Sequence, residues 1–147
     1  MPMDTESDLP PILLVEDNPD DEGLALRALK KSGVRNPVIV ARDGEEAVQK
    51  LSSFTNGSIP VLILLDLKLP KLSGMEVLER IRGNVSTQLV PVVVLTSSDE
   101  TIDVVGCYSR GANAYVRKPV DFDEFIEAID SIARFWLRRN LQATKTR

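Results

Sequence analysis

The sequence predicts a single α/β domain built on a five-stranded parallel sheet, and three observations predict it. Five short apolar runs alternate with segments of helical periodicity along the 147 residues. The runs are apolar throughout, which suits strands covered on both faces. Four of them end in acidic, hydroxyl or basic residues, which right-handed crossovers would gather on one edge of the sheet.

Each element follows in order. Residues 1–10 read as a polar, flexible leader. Ile12-Leu13-Leu14-Val15 is the first strand and runs into Glu16-Asp17-Asn18-Pro19. Asp20, Asp21 and Glu22 then suit the positive end of a helix. Leu26 and Leu29 follow at helical spacing, and Ser32-Gly33 stops that helix. Val38-Ile39-Val40 is the second strand, and Asp43-Gly44 turns into a helix carrying Ala47, Val48 and Leu51. Val61-Leu62-Ile63-Leu64-Leu65 is the third strand and ends at Asp66. A loop with Pro70 and Gly74 leads to a helix from Met75 to Arg82 that buries Val77, Leu78 and Ile81. Pro91-Val92-Val93-Val94-Leu95 is the fourth strand and ends at Thr96. Ser97-Ser98-Asp99-Glu100 looks like the cap of a helix ending near Arg110-Gly111. Ala114-Tyr115-Val116 is the fifth strand and ends at Lys118-Pro119. Asp121 and Glu124 have capping-box spacing, and the last helix runs toward Leu141. Phe122, Phe125, Ile126, Ile129, Ala133 and Trp136 form its core stripe.

Composition excludes several chemistries. Apolar residues at 43% and charged residues at 27% suit a packed domain rather than a disordered chain. There is no histidine, which removes Ser-His-Asp and Cys-His catalysis and His-based zinc sites. The one cysteine, Cys107, allows no internal disulfide and reads as a packed thiol. A net charge of −4 disfavours nonspecific binding to nucleic acid. The basic C-terminal residues, Arg134, Arg138, Arg139, Lys145 and Arg147, read as a solvated helix end favoured by the helix dipole. No apolar run approaches the ~20 residues needed to cross a bilayer. The N-terminus is unlike a secretory signal, so the expected compartment is the cytoplasm.

The strand ends carry the chemistry. They deliver Glu16 and Asp17, Asp66, Thr96 and Lys118 to the edge where ligands bind in open α/β sheets. Each residue alone is explained by a cap, a loop or a solvated charge; together they are not. Three close carboxylates repel one another, and a divalent cation removes the conflict. Without histidine or a thiolate cluster the ligation is by hard oxygen, which suits Mg²⁺. A carboxylate beside a cation and a lysine can attack phosphorus and form an aspartyl phosphate.

These motifs resemble the receiver domains of two-component response regulators. The resemblance lies in Val15-Glu16-Asp17-Asn18, Leu65-Asp66-Leu67-Lys68-Leu69-Pro70, Leu95-Thr96-Ser97 and Ala114-Tyr115-Val116-Arg117-Lys118-Pro119. The spacings match as well, with Thr96 lying 30 and Lys118 lying 52 residues beyond Asp66. The resemblance covers residues 11–138 and leaves 139–147 as a tail. It implies a flavodoxin-like doubly wound sheet of order 2-1-3-4-5. It implies that Asp66 accepts a phosphoryl group from a sensor histidine kinase or a phosphotransfer protein. By the same resemblance Asp17, Asp66 and the Lys68 carbonyl bind Mg²⁺ directly, with Glu16 acting mainly through water. Thr96 and Lys118 contact the phosphoryl group, Thr96 and Tyr115 form a switch pair, and the Lys118-Pro119 peptide is cis. Lys68 and Ser98 occupy positions that tune phosphate lifetime in the family. The Lys68 side chain either hinders the attacking water or points to solvent.

The segment beyond residue 138 is too short for an output domain, so a stand-alone receiver acting through protein contacts is expected. Phe135 falls off the core stripe and with Trp136 and Leu137 makes an apolar cluster, which suggests a homodimer interface. The Phe-Trp-Leu ending resembles regulators that partner phytochrome-type photoreceptor kinases. Three other readings are weaker. A flavin electron carrier needs a phosphate loop where this chain has Glu16-Asp17-Asn18-Pro19-Asp20-Asp21. A phosphatase with an aspartate nucleophile needs a second carboxylate where this chain has Lys68. A receiver that works without phosphorylation would not need this complete a set of residues.

Overall fold

A computed structural model describes residues 9–55 and 57–143. Apart from Leu9 and Pro10, the expected leader lies outside the described residues, as do Lys145 and Arg147. Five strands form one parallel sheet: β1 (Ile12–Val15), β2 (Val38–Ala41), β3 (Leu62–Leu65), β4 (Val92–Thr96) and β5 (Ala114–Arg117). Their order is β2-β1-β3-β4-β5, as the resemblance implies. The intervening helices are α1 (Pro19–Lys31), α2 (Gly44–Ser53), α3 (Gly74–Gly83), α4 (Thr101–Ser109) and α5 (Phe122–Ala133).

Alternate residues of each strand point to opposite faces, so the sheet has two cores. Leu13, Val15, Ile63, Leu65, Val92 and Val94 pack with Leu51, Val77, Leu78, Ile81 and Cys107 on the face of α2, α3 and α4. Ile12, Leu14, Leu62, Leu64, Val93 and Leu95 pack with Ala28, Leu29, Phe125, Ile129 and Ile132 on the face of α1 and α5. The three central strands are buried along their whole length, which is why their sequences read as unbroken apolar runs.

Caps place most helix starts where the sequence suggests. The Asn18 side chain accepts from the amides of Asp20 and Asp21 at 2.8 and 3.1 Å. Asp43 caps α2, and Ser73 with Glu76 forms a full capping box on α3. Asp121 accepts from the Glu124 amide at 3.1 Å, one half of the expected box.

Three expectations are corrected. The start of α4 has Glu100 at its cap position with no side-chain hydrogen bond. The nearby Ser98 hydroxyl instead donates to Asp103 at 2.6 Å, because a carboxylate one turn into the helix is the stronger acceptor. Phe122 is not core: it occupies the first position of α5 and is exposed, while Ile132 takes a buried place on the stripe. The last helix does not continue regularly toward Leu141. Residues Arg134–Arg139 form a π-helical turn, closed by the Asn140 amide on the Phe135 carbonyl at 2.8 Å. The wider turn changes which side chains face inward. Trp136 and Leu137 are half-buried against the α1/α5 core, whereas Phe135 is 50% exposed and meets Trp136 edge-on at 4.8 Å.

Candidate functional site

Register brings the site together. Val15 pairs with Leu65, so Glu16 and Asp66, the next residue on each strand, emerge side by side. Thr96 pairs with Arg117, and Lys118 follows at once, its amide donating to the Thr96 carbonyl at 2.6 Å. The site therefore straddles β1 and β3, where the chain reverses its direction of winding.

Lys118 is the hub. Its side chain is 9% exposed, and its ammonium donates to Glu16 Oε1 at 2.6 Å, Asp66 Oδ2 at 2.9 Å and Asp21 Oδ2 at 2.9 Å. Burial opposes the Lys118 charge, yet these hydrogen bonds outweigh it and hold the group above the ordinary lysine range. Burial likewise pushes the Glu16 carboxyl up, to about 7; the Lys118 hydrogen bond works against that rise and the charge of Asp66 adds to it. Asp66 is buried, and its Oδ1 accepts from the Lys68 amide at 3.2 Å. Glu16, Asp17 and Asp66 each offer an oxygen within 4.8 Å of the others, with Asp17 exposed at the rim. An all-carboxylate set of this kind fits a hard divalent cation. The Lys68 side chain itself is exposed.

Thr96 is fully buried, and its hydroxyl is the one buried side-chain polar atom without a hydrogen-bond partner among the described residues. Such groups are rare because an unmade hydrogen bond costs about 1–3 kcal/mol. Tyr115 is half-buried and donates its hydroxyl to the Ser98 carbonyl at 2.7 Å, tying β5 to the loop after Thr96. No cis peptide occurs among the described residues, so the Lys118-Pro119 bond is trans, against expectation. The two isomers of a bond to proline differ by only about 0.5–1 kcal/mol, so the motif alone does not set the choice.

The loop after Asp66 is held by its neighbours. Gly74 donates to the Leu67 carbonyl at 2.8 Å and Gly44 to the Pro70 carbonyl at 3.2 Å. Lys71 sits at φ 73°, a left-handed conformation that lysine rarely adopts, with its ammonium 3.5 Å from Asp43.

Residues 12–130 match the family model described as the response regulator receiver domain. The chain belongs to that family. The receiver is 40% identical over 139 residues to the response regulator Rcp1 of Synechocystis, covering 92% of this chain and 95% of Rcp1. It superposes with a TM-score of 0.86, at 37% identity, on the crystal structure of the phosphorylated cyanobacterial phytochrome response regulator RcpA, covering 92% of this chain and 99% of that one. The Mn(2+)-bound form of Rcp1 gives a TM-score of 0.84 at 37% identity, with 92% and 100% covered.

The structure brings Glu16, Asp17, Asp66, Thr96 and Lys118 to one edge of the receiver, as the strand ends suggest. Sequence reasoning missed Asp21, which it assigned to the helix dipole alone. No local signal sets it apart from the other acids of that first turn, because its partner Lys118 lies 97 residues away. Among the described residues no helix is long and apolar enough to cross a membrane.

Proposed function

We propose that this receiver takes a phosphoryl group onto Asp66 from a phosphohistidine of a sensor histidine kinase, in a Mg²⁺-dependent reaction, and signals through protein contacts. The observation that carries the reading is the buried, partnerless hydroxyl of Thr96, a residue whose carbonyl accepts from the Lys118 amide at the sheet edge that holds the Asp66–Lys118 pair. A donor kept unsatisfied at the sheet edge that carries a carboxylate and an ammonium suits a tetrahedral anion with oxygens to share among them.

An Asp66 carboxylate oxygen attacks phosphorus. The new P–O bond forms as the P–N bond of the donor breaks, and the imidazole leaves with that electron pair. Lys118 passes from Asp66 Oδ2 to a phosphoryl oxygen, and Thr96 donates to another. Asp17, Asp66 and the Lys68 carbonyl would hold the cation, with Glu16 acting through water; when bound, it neutralises charge on the transferring group. Drawing Thr96 inward would bear on Tyr115 through the loop that its hydroxyl already grips at Ser98.

A phytochrome-type kinase as partner is supported by the likeness to RcpA. A homodimer around Phe135, Trp136 and Leu137 is supported by the exposure of Phe135 at the π-helical turn. Its sedimentation across a concentration series should show a dimer weakened by Phe135→Ala; a monomer at high micromolar concentration excludes it.

Incubation with acetyl phosphate and Mg²⁺ followed by intact mass measurement tests the central reading. One phosphoryl adduct should appear, and Asp66→Asn should lose it. An undiminished adduct on that variant would remove Asp66 from the role.

A further inference from the structure

We infer that Asp21 is a positioning residue which keeps the Lys118 ammonium over Asp66 while the phosphoryl group arrives. The inference rests on the phospho-acceptor reading of Asp66 and adds a residue to it.

Lys118 Nζ has three protons, and three carboxylates take them: Glu16 at 2.6 Å, Asp21 at 2.9 Å and Asp66 at 2.9 Å. Two of those acceptors have other duties. Asp66 is the reacting group, and its contact with Lys118 must pass to a phosphoryl oxygen. Glu16 belongs to the group of three carboxylates whose oxygens lie within 4.8 Å of one another, and its Oε2 also accepts from the Asn18 amide at 3.1 Å. A cation in that group draws on Glu16. Asp21 stands outside it. It is therefore the anchor for Lys118 that neither the cation nor the phosphoryl group claims.

The placement of Asp21 suits this work. Asn18 fixes the first turn of α1 by accepting from the Asp20 and Asp21 amides. Side chains on a helix lean toward its N-terminus, and α1 begins at the site edge, so Asp21 leans back over the pocket. Its side chain is 30% exposed, less open than a rim carboxylate and more open than Glu16 at 5%. A lysine stem is long and flexible, so a single contact holds its tip poorly. Charge-assisted bonds from two directions hold it at one point, ready for a third partner.

The rival account is that Asp21 only favours the helix dipole. Asp20 shares that first turn and is exposed, so Asp20→Ala is the control. The full chain is phosphorylated with acetyl phosphate at saturating Mg²⁺, and the rate is followed by intact mass. Asp21→Ala should slow the maximal rate about tenfold, the scale of one charge-assisted hydrogen bond. Its Mg²⁺ affinity, read by calorimetry, should stay near that of the wild type. Asp21→Asn keeps an acceptor oxygen in place and should recover most of the rate, and Asp20→Ala should match wild type. The side-chain ammonium signal of Lys118 in ¹H–¹⁵N spectra should be protected in wild type and Asp21→Asn and lost in Asp21→Ala.

Wild-type rate and an intact Lys118 signal in Asp21→Ala overturn the inference. So does equal slowing by Asp20→Ala, which would leave only the dipole. Asn as slow as Ala would reduce Asp21 to a charge and overturn its positioning role. Absence of any adduct on Asp66 in wild type would instead overturn the underlying reading, and the Lys118 signal would then judge Asp21 alone.

Discussion

Replacing Gly74 with alanine should cripple phosphoryl transfer without altering a reacting atom. Gly74 opens α3 and is buried against the end of β3, where its amide donates to the Leu67 carbonyl at 2.8 Å. A Cβ built there lies 2.5 Å from Leu67 Cα and closer still to the Asp66 carbonyl oxygen. Comfortable carbon contacts are about 3.5–4.0 Å, so the backbone of Asp66 and Leu67 must yield by roughly 1 Å. That backbone is not free to move, because the Asp66 amide is bound to the Val15 carbonyl at 3.1 Å within the central sheet. Overpacking of this kind costs about 1–3 kcal/mol of stability. A 1 Å misplacement of the nucleophile costs about 100-fold in rate. Urea denaturation and the initial rate of acetyl phosphate labelling read the two effects separately. Gly44→Ala is the companion variant: its Cβ meets Leu72 in the same loop, farther from Asp66, so it should lose stability with a smaller loss of rate. A Gly74→Ala protein labelled within threefold of wild type would refute the argument, whatever its stability.

Other variants test separate links. Glu16 titrates near 7 in the folded chain against an ordinary 4.5, so the folded state holds its proton more tightly. Glu16 therefore costs stability as pH rises from about 4.5 to 7, and in metal-free buffer Glu16→Gln should gain up to about 3 kcal/mol on wild type across that window. A constant difference between the two would sink this. Thr96→Val removes a buried hydroxyl that has no partner and should raise the stability read by urea denaturation by about 1 kcal/mol or more, while slowing phosphorylation. Loss of stability would show that the hydroxyl is satisfied. The Arg82 guanidinium binds the carbonyls of Gly111 and Val90 and the Asn113 side chain, each at 2.8 Å, and so joins α3 to the loops leading into β4 and β5. Arg82→Ala should cost about 2–4 kcal/mol, and an unmoved midpoint would deny that role. Burial raises the Cys107 thiol to about 11, so iodoacetamide should label it only after unfolding; rapid labelling of the folded chain would contradict its packing.

Much of this protein is decided by local sequence. Ile12–Val15, Leu62–Leu65 and Val92–Thr96 are legible as strands because a strand covered on both faces must be apolar at every position. Asp43 and Asp121 are legible as helix starts because a helix start needs a nearby acceptor. The ends of those strands carry Glu16, Asp66 and Thr96, so the chemistry of the site can be read before its geometry. Tertiary structure decided the rest. The Asp21–Lys118 contact joins residues 97 positions apart, and no local pattern separates it from a dipole-favouring acid. Regular helical spacing sets Phe135 off the core stripe, but the π-helical turn over Arg134–Arg139, with Trp136 and Leu137 half-buried beside it, has no signal in that spacing. Phe122 belongs to an apolar stripe in sequence but stands exposed at the first position of α5. Gly74 reads as a loop residue, yet what demands glycine there is the Asp66 carbonyl brought against it. Periodicity and caps act over a few residues, whereas the reach of an ion pair and the room for a Cβ are set by which distant segments the sheet brings together.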